Sequence, residues 1–380
     1  MVKILQVTTV SSTIQAFLLP FAKAFKSEGW IVDAAGRNIN DYQDVVDEHR
    51  FSFHVEFSRD PFDLLNIFQS FRSVRKIINN NQYDIVHVHT PIAAFITRLS
   101  AIGLKNTKVY YTAHGFHYSE GNGFLKNLFF LFFEKIAGYF TEHLFVINTD
   151  DYNFSKKFKI VPEHKLTYIP GIGVDCEHFS FDISSRDYLR ENLEIERDEV
   201  VFLHIAELNT NKNHSIILDA LSIINDRTPD YNFKYLIVGH GVLHDDLVEK
   251  VKNLGLCHRV QFLGYRKDIR NLLSASDVLC LSSFREGLPR CILEAMSAKL
   301  PIIASDIRGC RDLLSKGGGV LVSPYEINGW LDAFQYFSLR KNRTNAGDFG
   351  YSLVTEKYNI ETVLSDVISV YKDTALEKNS

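Results

Sequence analysis

The residues best suited to chemistry lie between Leu281 and Asp306, in the stretch LSSFREGLPRCILEAMSAKLPIIASD. An apolar strand ending at Leu281 breaks at Glu286-Gly287, and Pro289 suits a first helical position, where its missing N–H costs nothing. The spacing predicts a helix to about Lys299 and a new strand from Pro301. Ile292, Leu293, Met296 and Leu300 share one stripe that packs on a sheet, and Glu294 lies almost opposite, one turn after Arg290. A cation in a first turn opposes the helix dipole, and Arg four residues before Glu is the weaker ion-pair order. Free N–H groups and a positive charge at one helix start suit a phosphate or diphosphate. Glu294 could then take two hydroxyls of a ribose, and Glu286 the group beyond the phosphates. A surface helix with one ion pair and a turn glycine accounts for the same spacing.

Other candidates sit at predicted strand ends. Lys212, in HIAELNTNKNH, suits a point-charge partner for a diphosphate, or is a solvated loop lysine. Gly239, in Val238-Gly239-His240-Gly241, marks a turn whose backbone a ligand could approach. Arg266 could stack on a base or face solvent. Ser11 and Ser12, after the first strand, offer backbone N–H groups and hydroxyls at a helix start, or serve as an ordinary cap. His114 ends the strand in KVYYTAHGFHY, where a histidine could hydrogen-bond a sugar or fill a turn. His87 and His89 alternate on one strand face, but no third ligand at metal spacing accompanies them, so no metal is expected.

Glu286-Gly287-Leu288-Pro289 followed by Glu294 resembles the Glu-x7-Glu signature of retaining glycosyltransferases of family 4, which have the GT-B fold. The likeness is to the capsule and exopolysaccharide branch, and it extends over nearly the whole chain. It implies an α/β protein of two Rossmann-like domains facing across a cleft. It also implies transfer of a sugar from a nucleotide diphosphate, a UDP-sugar, to a polyprenyl-diphosphate-linked or saccharide acceptor, with no cofactor. On that resemblance Lys212, Arg290 and the helix start at Gly287-Leu288-Pro289 hold the diphosphate, and Glu294 holds the ribose. Glu286 and His114 contact the sugar, while Gly239 and Arg266 border the nucleotide. Two departures stand out: the first loop (TTVSST) lacks a glycine pair, and Glu207 stands where relatives commonly have a cation.

The elements that must position these residues follow from periodicity. Strands and helices alternate almost throughout, which argues for parallel sheets covered on both faces. The expected division is 1–170, an acceptor-binding domain; 171–355, a nucleotide-sugar domain; and 356–380, a terminal helix returning to the first domain. Hydrophobic content of 46% is ample for two cores, and a net charge of −4 gives no reason to expect nucleic acid. Five cysteines without a C-x-x-C pair, and an N-terminus that reads as a strand, fit a cytoplasmic protein. The apolar run Phe124 to Phe140 is either a helix packed on the first sheet or an interfacial helix beside lipid headgroups. Lys156, Lys157, Lys159, Arg72, Arg75 and Lys76 add basic patches that suit peripheral contact with the inner face of the cell membrane. Alternatives are a nucleotide-sugar 2-epimerase of the same fold and a non-catalytic sugar-nucleotide-binding subunit. A dinucleotide oxidoreductase ranks last, because no G-x-G-x-x-G follows the first strand.

Overall fold

The structure is a computed structural model describing residues 1–58, 60, 63–104, 106–116 and 123–376. His117 and Tyr118 of the segment read above lie outside the described residues, as do the side chains of Phe124, Lys126 and residues 374–376. The chain divides into two compact units, Met1–Ile172 joined by the segment after Ile360, and Gly173–Ile360.

Among the described residues, the first unit holds strands β1 (Lys3–Val10), β2 (Ile31–Arg37), β3 (Ser52–His54), β4 (Ile85–Val88), β5 (Lys108–Ala113), β6 (His143–Val146) and β7 (Leu166–Tyr168). They pair in parallel in the order β3-β2-β1-β4-β5-β6-β7. β4 is buried along its length, as a parallel strand covered on both faces must be. The short β7 and the Thr149–Phe158 helix before it had no clear pattern in the sequence: β7 has three residues, too few for a period. The Ile360–Leu376 helix belongs to this unit, and its Tyr371 stacks on Phe25 and Trp30.

The second unit holds β8 (Val200–Ile205), β9 (Phe233–Val238), β10 (Val260–Gly264), β11 (Val278–Leu281), β12 (Ile302–Ser305) and β13 (Gly319–Val322). Their order is β10-β9-β8-β11-β12-β13, again parallel. Helices cover both faces, giving one core around Leu279, Ile292 and Met296 and another around Phe202, Trp330 and Phe334.

The Phe124–Tyr139 helix has one packed side and one exposed apolar side. It packs on the first sheet through Leu131 and the buried Ala137. Its other side exposes Leu125, Leu128, Phe129, Phe132, Ile136 and Tyr139.

Candidate functional site

In the second unit the strand order reverses between β8 and β11, the place where an open parallel sheet leaves a crevice at its carboxyl edge. The loop after β8 carries Lys212 and the loop after β11 carries Glu286 through Pro289. Phe284 donates its backbone N–H to the Asn211 carbonyl at 2.8 Å, and Asn211 Nδ2 donates to the Arg285 carbonyl at 3.0 Å. Ser282 Oγ lies 2.9 Å from the carbonyls of both Lys212 and Asn213. These bonds fix the two loops side by side and bring Lys212 Nζ to 2.5 Å from Glu286 Oε1. Burial works against the Lys212 ammonium, but the adjacent Glu286 carboxylate outweighs it and holds the lysine above its ordinary value.

Pro289 is not the first helical residue. With ψ at 112° its backbone is extended, so it caps the helix: its carbonyl accepts from Ile292 N at 3.1 Å and Arg290 becomes the first helical residue. The helix, Arg290–Ser297, also ends before Lys299, which takes a left-handed φ of 61°. Ile292, Leu293, Met296 and Leu300 are all buried, as their spacing requires. Arg290 Nε stands 2.8 Å from Glu294 Oε1. Burial lifts the Glu294 carboxyl above the usual carboxylate range, and Arg290 pulls it part of the way back.

Two glycines permit close backbone contact around this crevice. A Cβ on Gly309 would stand 2.1 Å from the Gly287 carbonyl, and one on Gly239, 2.0 Å from the Ala206 carbonyl. Both adopt φ values, 78° and 143°, that favour glycine. Gly309 thus lets the loop after β12 lie against the Glu286 loop and brings in Arg308, whose Nε is 3.4 Å from the Glu286 carbonyl oxygen. Sequence reasoning missed Arg308; its position at a strand end, Ser305-Asp306-Ile307-Arg308-Gly309, was the available signal. Arg266 folds back on Asp268, donating from Nε at 2.7 Å and from Nη2 at 2.5 Å, so its guanidinium is engaged by a carboxylate.

In the first unit the order reverses between β1 and β4, and Thr9 Oγ1 bonds Thr90 Oγ1 across that point at 2.7 Å. Ser11 is fully buried and donates its hydroxyl to the Arg37 carbonyl at 2.9 Å, so that hydroxyl is not turned outward to a ligand. Ser12 is exposed. The segment after them, Ile14–Leu18, is a π-helix, a rare form often found at functional sites. His114 Nε2 pairs with His89 Nδ1 at 3.3 Å, and the rings of His89 and His87 are 4.0 Å apart. His87 Nε2 bonds Thr112 Oγ1 at 2.7 Å, and its Nδ1 bonds the Tyr371 hydroxyl. Burial lowers His114 to about 4 and His87 to about 3, so both are neutral at pH 7. The pairing of His114 with His89 was not legible from the spacing of DIVHVHT.

Among the described residues no three His, Cys, Asp or Glu side chains are placed to hold a metal ion. Cys291 and Cys310 lie near the Lys212–Glu286 pair; burial pushes the Cys291 thiol up to about 12, where it is protonated and unreactive. No described helix is long and apolar enough to cross a membrane.

Similarity to known proteins extends over both units. The family described as "Glycosyl transferases group 1" matches residues 185–351, and "Glycosyltransferase Family 4" matches residues 15–178. The chain is 35% identical over 318 residues to the "Putative glycosyltransferase EpsD" of Bacillus subtilis (strain 168), covering 83% of this chain and 81% of that one. It is 28% identical over 374 residues to the Escherichia coli "UDP-Gal:alpha-D-GlcNAc-diphosphoundecaprenol alpha-1,3-galactosyltransferase", covering 96% of each. Anabaena Alr3699/HepE, crystallised in complex with UDP, superposes with a TM-score of 0.81 at 18% identity, over 98% of this chain and 100% of that one. Two Rossmann-like units, each matched by its own family model, give one reading: the chain belongs to glycosyltransferase family 4 and is a glycosyltransferase of the GT-B fold.

Proposed function

We propose that the chain moves a sugar from a UDP-sugar to a polyprenyl-diphosphate-linked or saccharide acceptor, keeping the anomeric configuration, in the synthesis of a surface polysaccharide. The observation that carries this reading is the Lys212–Glu286 pair beside the start of the Arg290–Ser297 helix. As the glycosidic bond breaks, negative charge collects on the β-phosphate and positive charge on the sugar ring. Lys212, Arg290 and the N–H groups from Gly287 onward stabilise the departing diphosphate, and no metal ion is required of them. Glu294 holds the ribose, Glu286 holds sugar hydroxyls, and His114, neutral at pH 7, serves the sugar as a hydrogen-bonding group. The second unit is the donor-binding one and the first takes the acceptor. Support comes from the relatives: the Escherichia coli protein is named for a UDP-sugar and a diphosphoundecaprenol acceptor, and HepE was crystallised with UDP. An acceptor on a lipid carrier places the work at the inner face of the cell membrane.

The decisive experiment measures UDP release over a panel of nucleotide sugars, with and without a membrane lipid extract, and the anomeric configuration of the product by NMR. Release that depends on the extract supports the reading, and an inverted product ends the claim of retention. Donor consumed with no acceptor present would point instead to a 2-epimerase.

A further inference from the structure

β4 and β5 are parallel neighbours, and each is followed directly by a histidine at the carboxyl edge of the first sheet. His89, after β4, is pinned by its backbone N–H, which donates to the Val7 carbonyl at 3.1 Å. His114 follows β5, and Gly115, at a φ of 128° that favours glycine, turns the chain directly behind it. The bond between His89 Nδ1 and His114 Nε2 joins the two rings with their planes 37° apart. Phe17, on the π-helix after β1, stacks on the His114 ring at a centroid distance of 6.5 Å. Behind His89 lies His87, whose two nitrogens are already bonded to the Thr112 and Tyr371 hydroxyls. His114 is therefore held along one edge and across one face.

A hydrogen bond between two imidazoles needs one ring to donate and the other to accept. Burial holds His89 well below its ordinary value and His114 at about 4, so both are neutral at pH 7. Each ring then carries one proton, and the direction of the bond fixes both tautomers. If His114 donated from Nε2, His89 would have to carry its own proton on Nε2. That atom is buried and reaches no hydrogen-bond partner among the described residues. Buried N–H groups without an acceptor are rarer in folded chains than unpaired acceptors. If His89 donates from Nδ1 instead, its Nε2 is a bare lone pair and no N–H is orphaned. His114 must then carry its proton on Nδ1. Because His114 is only partly buried and its Nε2 is taken, Nδ1–H is the group it offers to a ligand.

We propose that His89 is a positioning residue for sugar transfer: its Nδ1–H locks His114 in the Nδ1–H tautomer, so that His114 meets the sugar as a hydrogen-bond donor. The inference rests on the role of His114 proposed above and deepens it. His89 touches no sugar and acts only through its neighbour. An imidazole free to exchange its proton between nitrogens, or to turn over, must be ordered when the sugar arrives. One already held in a single tautomer and orientation carries no such cost at the moment of reaction. A fixed donor also selects what it meets: an oxygen able to accept, such as that of a sugar hydroxyl, suits it, and a C–H in the same place does not.

The test combines spectroscopy with kinetics on the full chain. Long-range proton–nitrogen NMR of isotope-labelled histidines reports which nitrogen of each ring is protonated, with His114 assigned by its loss in His114→Gln. The parent should show His114 protonated on Nδ1, and His89→Leu should let the Nε2–H form appear. A parent His114 protonated on Nε2 would overturn the proposal, and that measurement needs no variant of His89. In sugar transfer, His89→Leu should lower kcat about tenfold with UDP affinity unchanged. His89→Asn, whose amide N–H can stand where the ring Nδ1–H stood, should recover most of the loss. In a His114→Phe background His89→Leu should cost nothing further, because its effect runs through the missing ring. An equal cost in both backgrounds marks a merely structural residue and ends the inference. If the parent transfers sugar and His114 is the Nε2–H tautomer, this inference falls alone. If the parent transfers no sugar from any UDP-sugar while His114 is the Nδ1–H tautomer, the locked histidine stands and the transferase reading falls.

Discussion

Lys212 Nζ and Glu286 Oε1 meet at 2.5 Å across the two loops that flank the switch point of the second sheet. Each side chain is mostly buried, so removing one leaves the other's charge without its partner. The pair also makes opposite predictions for its two members. Glu286→Ala frees the lysine for the phosphates, so UDP should bind at least as tightly while sugar transfer falls by about 10²–10³-fold. Lys212→Gln should weaken UDP binding itself. Calorimetry of UDP binding beside turnover separates the two; a Glu286→Ala variant with unchanged turnover sinks the assignment.

Glu294 predicts a pH-dependent cost. Its carboxyl is lifted above the ordinary value of 4.5 by burial, so the folded chain holds that proton more tightly than the unfolded one. Stability contributed by this group is therefore lost as pH rises above 4.5, not as it falls. Glu294→Gln should be relatively more stable than the parent at pH 7 than at pH 4, by urea denaturation at each pH. The same variant should bind UDP more weakly, because the ribose loses its carboxylate.

The histidines act in the reverse direction. His87, His114, His143 and His214 are held neutral by burial, with values of about 3, 4, 4 and 4 against an ordinary 6.5. Between 6.5 and about 4 the unfolded chain binds more protons than the folded one. Stability is thus present above 6.5 and lost as pH falls through this window. The melting temperature should be flat above pH 7 and drop steeply below 6, and His214→Phe should flatten the drop.

How far the sequence could be read follows from which signals are local. β11 ends at Leu281 and the Phe124–Tyr139 helix fills its apolar run, as the sequence leads one to expect, because burial on both faces or on one stripe writes itself into consecutive residues. β7 is too short for that. At the site, the Arg290–Glu294 contact is four residues long and was legible. The approach of Arg308 and Gly309 to the Glu286 loop joins residues some twenty positions apart and depends on β12 lying beside β11, which spacing does not state. Ser11 shows the opposite failure: a serine at a helix start reads as a ligand donor, yet its hydroxyl is bonded to Arg37, on the neighbouring strand.

Gly309→Ala should therefore behave as a site mutation as well as a fold mutation. The added Cβ collides with the Gly287 carbonyl, and the left-handed φ adds strain of about 1–3 kcal/mol. The Glu286 loop must shift, so UDP affinity should fall more than the melting temperature does. Unaltered UDP binding in a folded variant would show that the loops are not coupled.

Tyr371 predicts a stability effect confined to the first unit. Tyr371→Phe removes the hydroxyl bonded to His87 and should cost about 1–3 kcal/mol, because a buried ring nitrogen is left unsatisfied. Tyr371→Ala should cost about 3–5 kcal/mol, through the cavity left beside Phe25 and Trp30. Denaturation should then split into two transitions, with UDP protecting the later one.

The same helix sets an order of assembly during synthesis. Residues 173–360 are continuous, so the second unit closes its core from one uninterrupted stretch of chain. The first unit, although translated earlier, must wait for Tyr371 to emerge before Phe25, Trp30 and His87 find their partner. Until then it presents a bare aromatic face to solvent, and that interval is when a chaperone has most to hold.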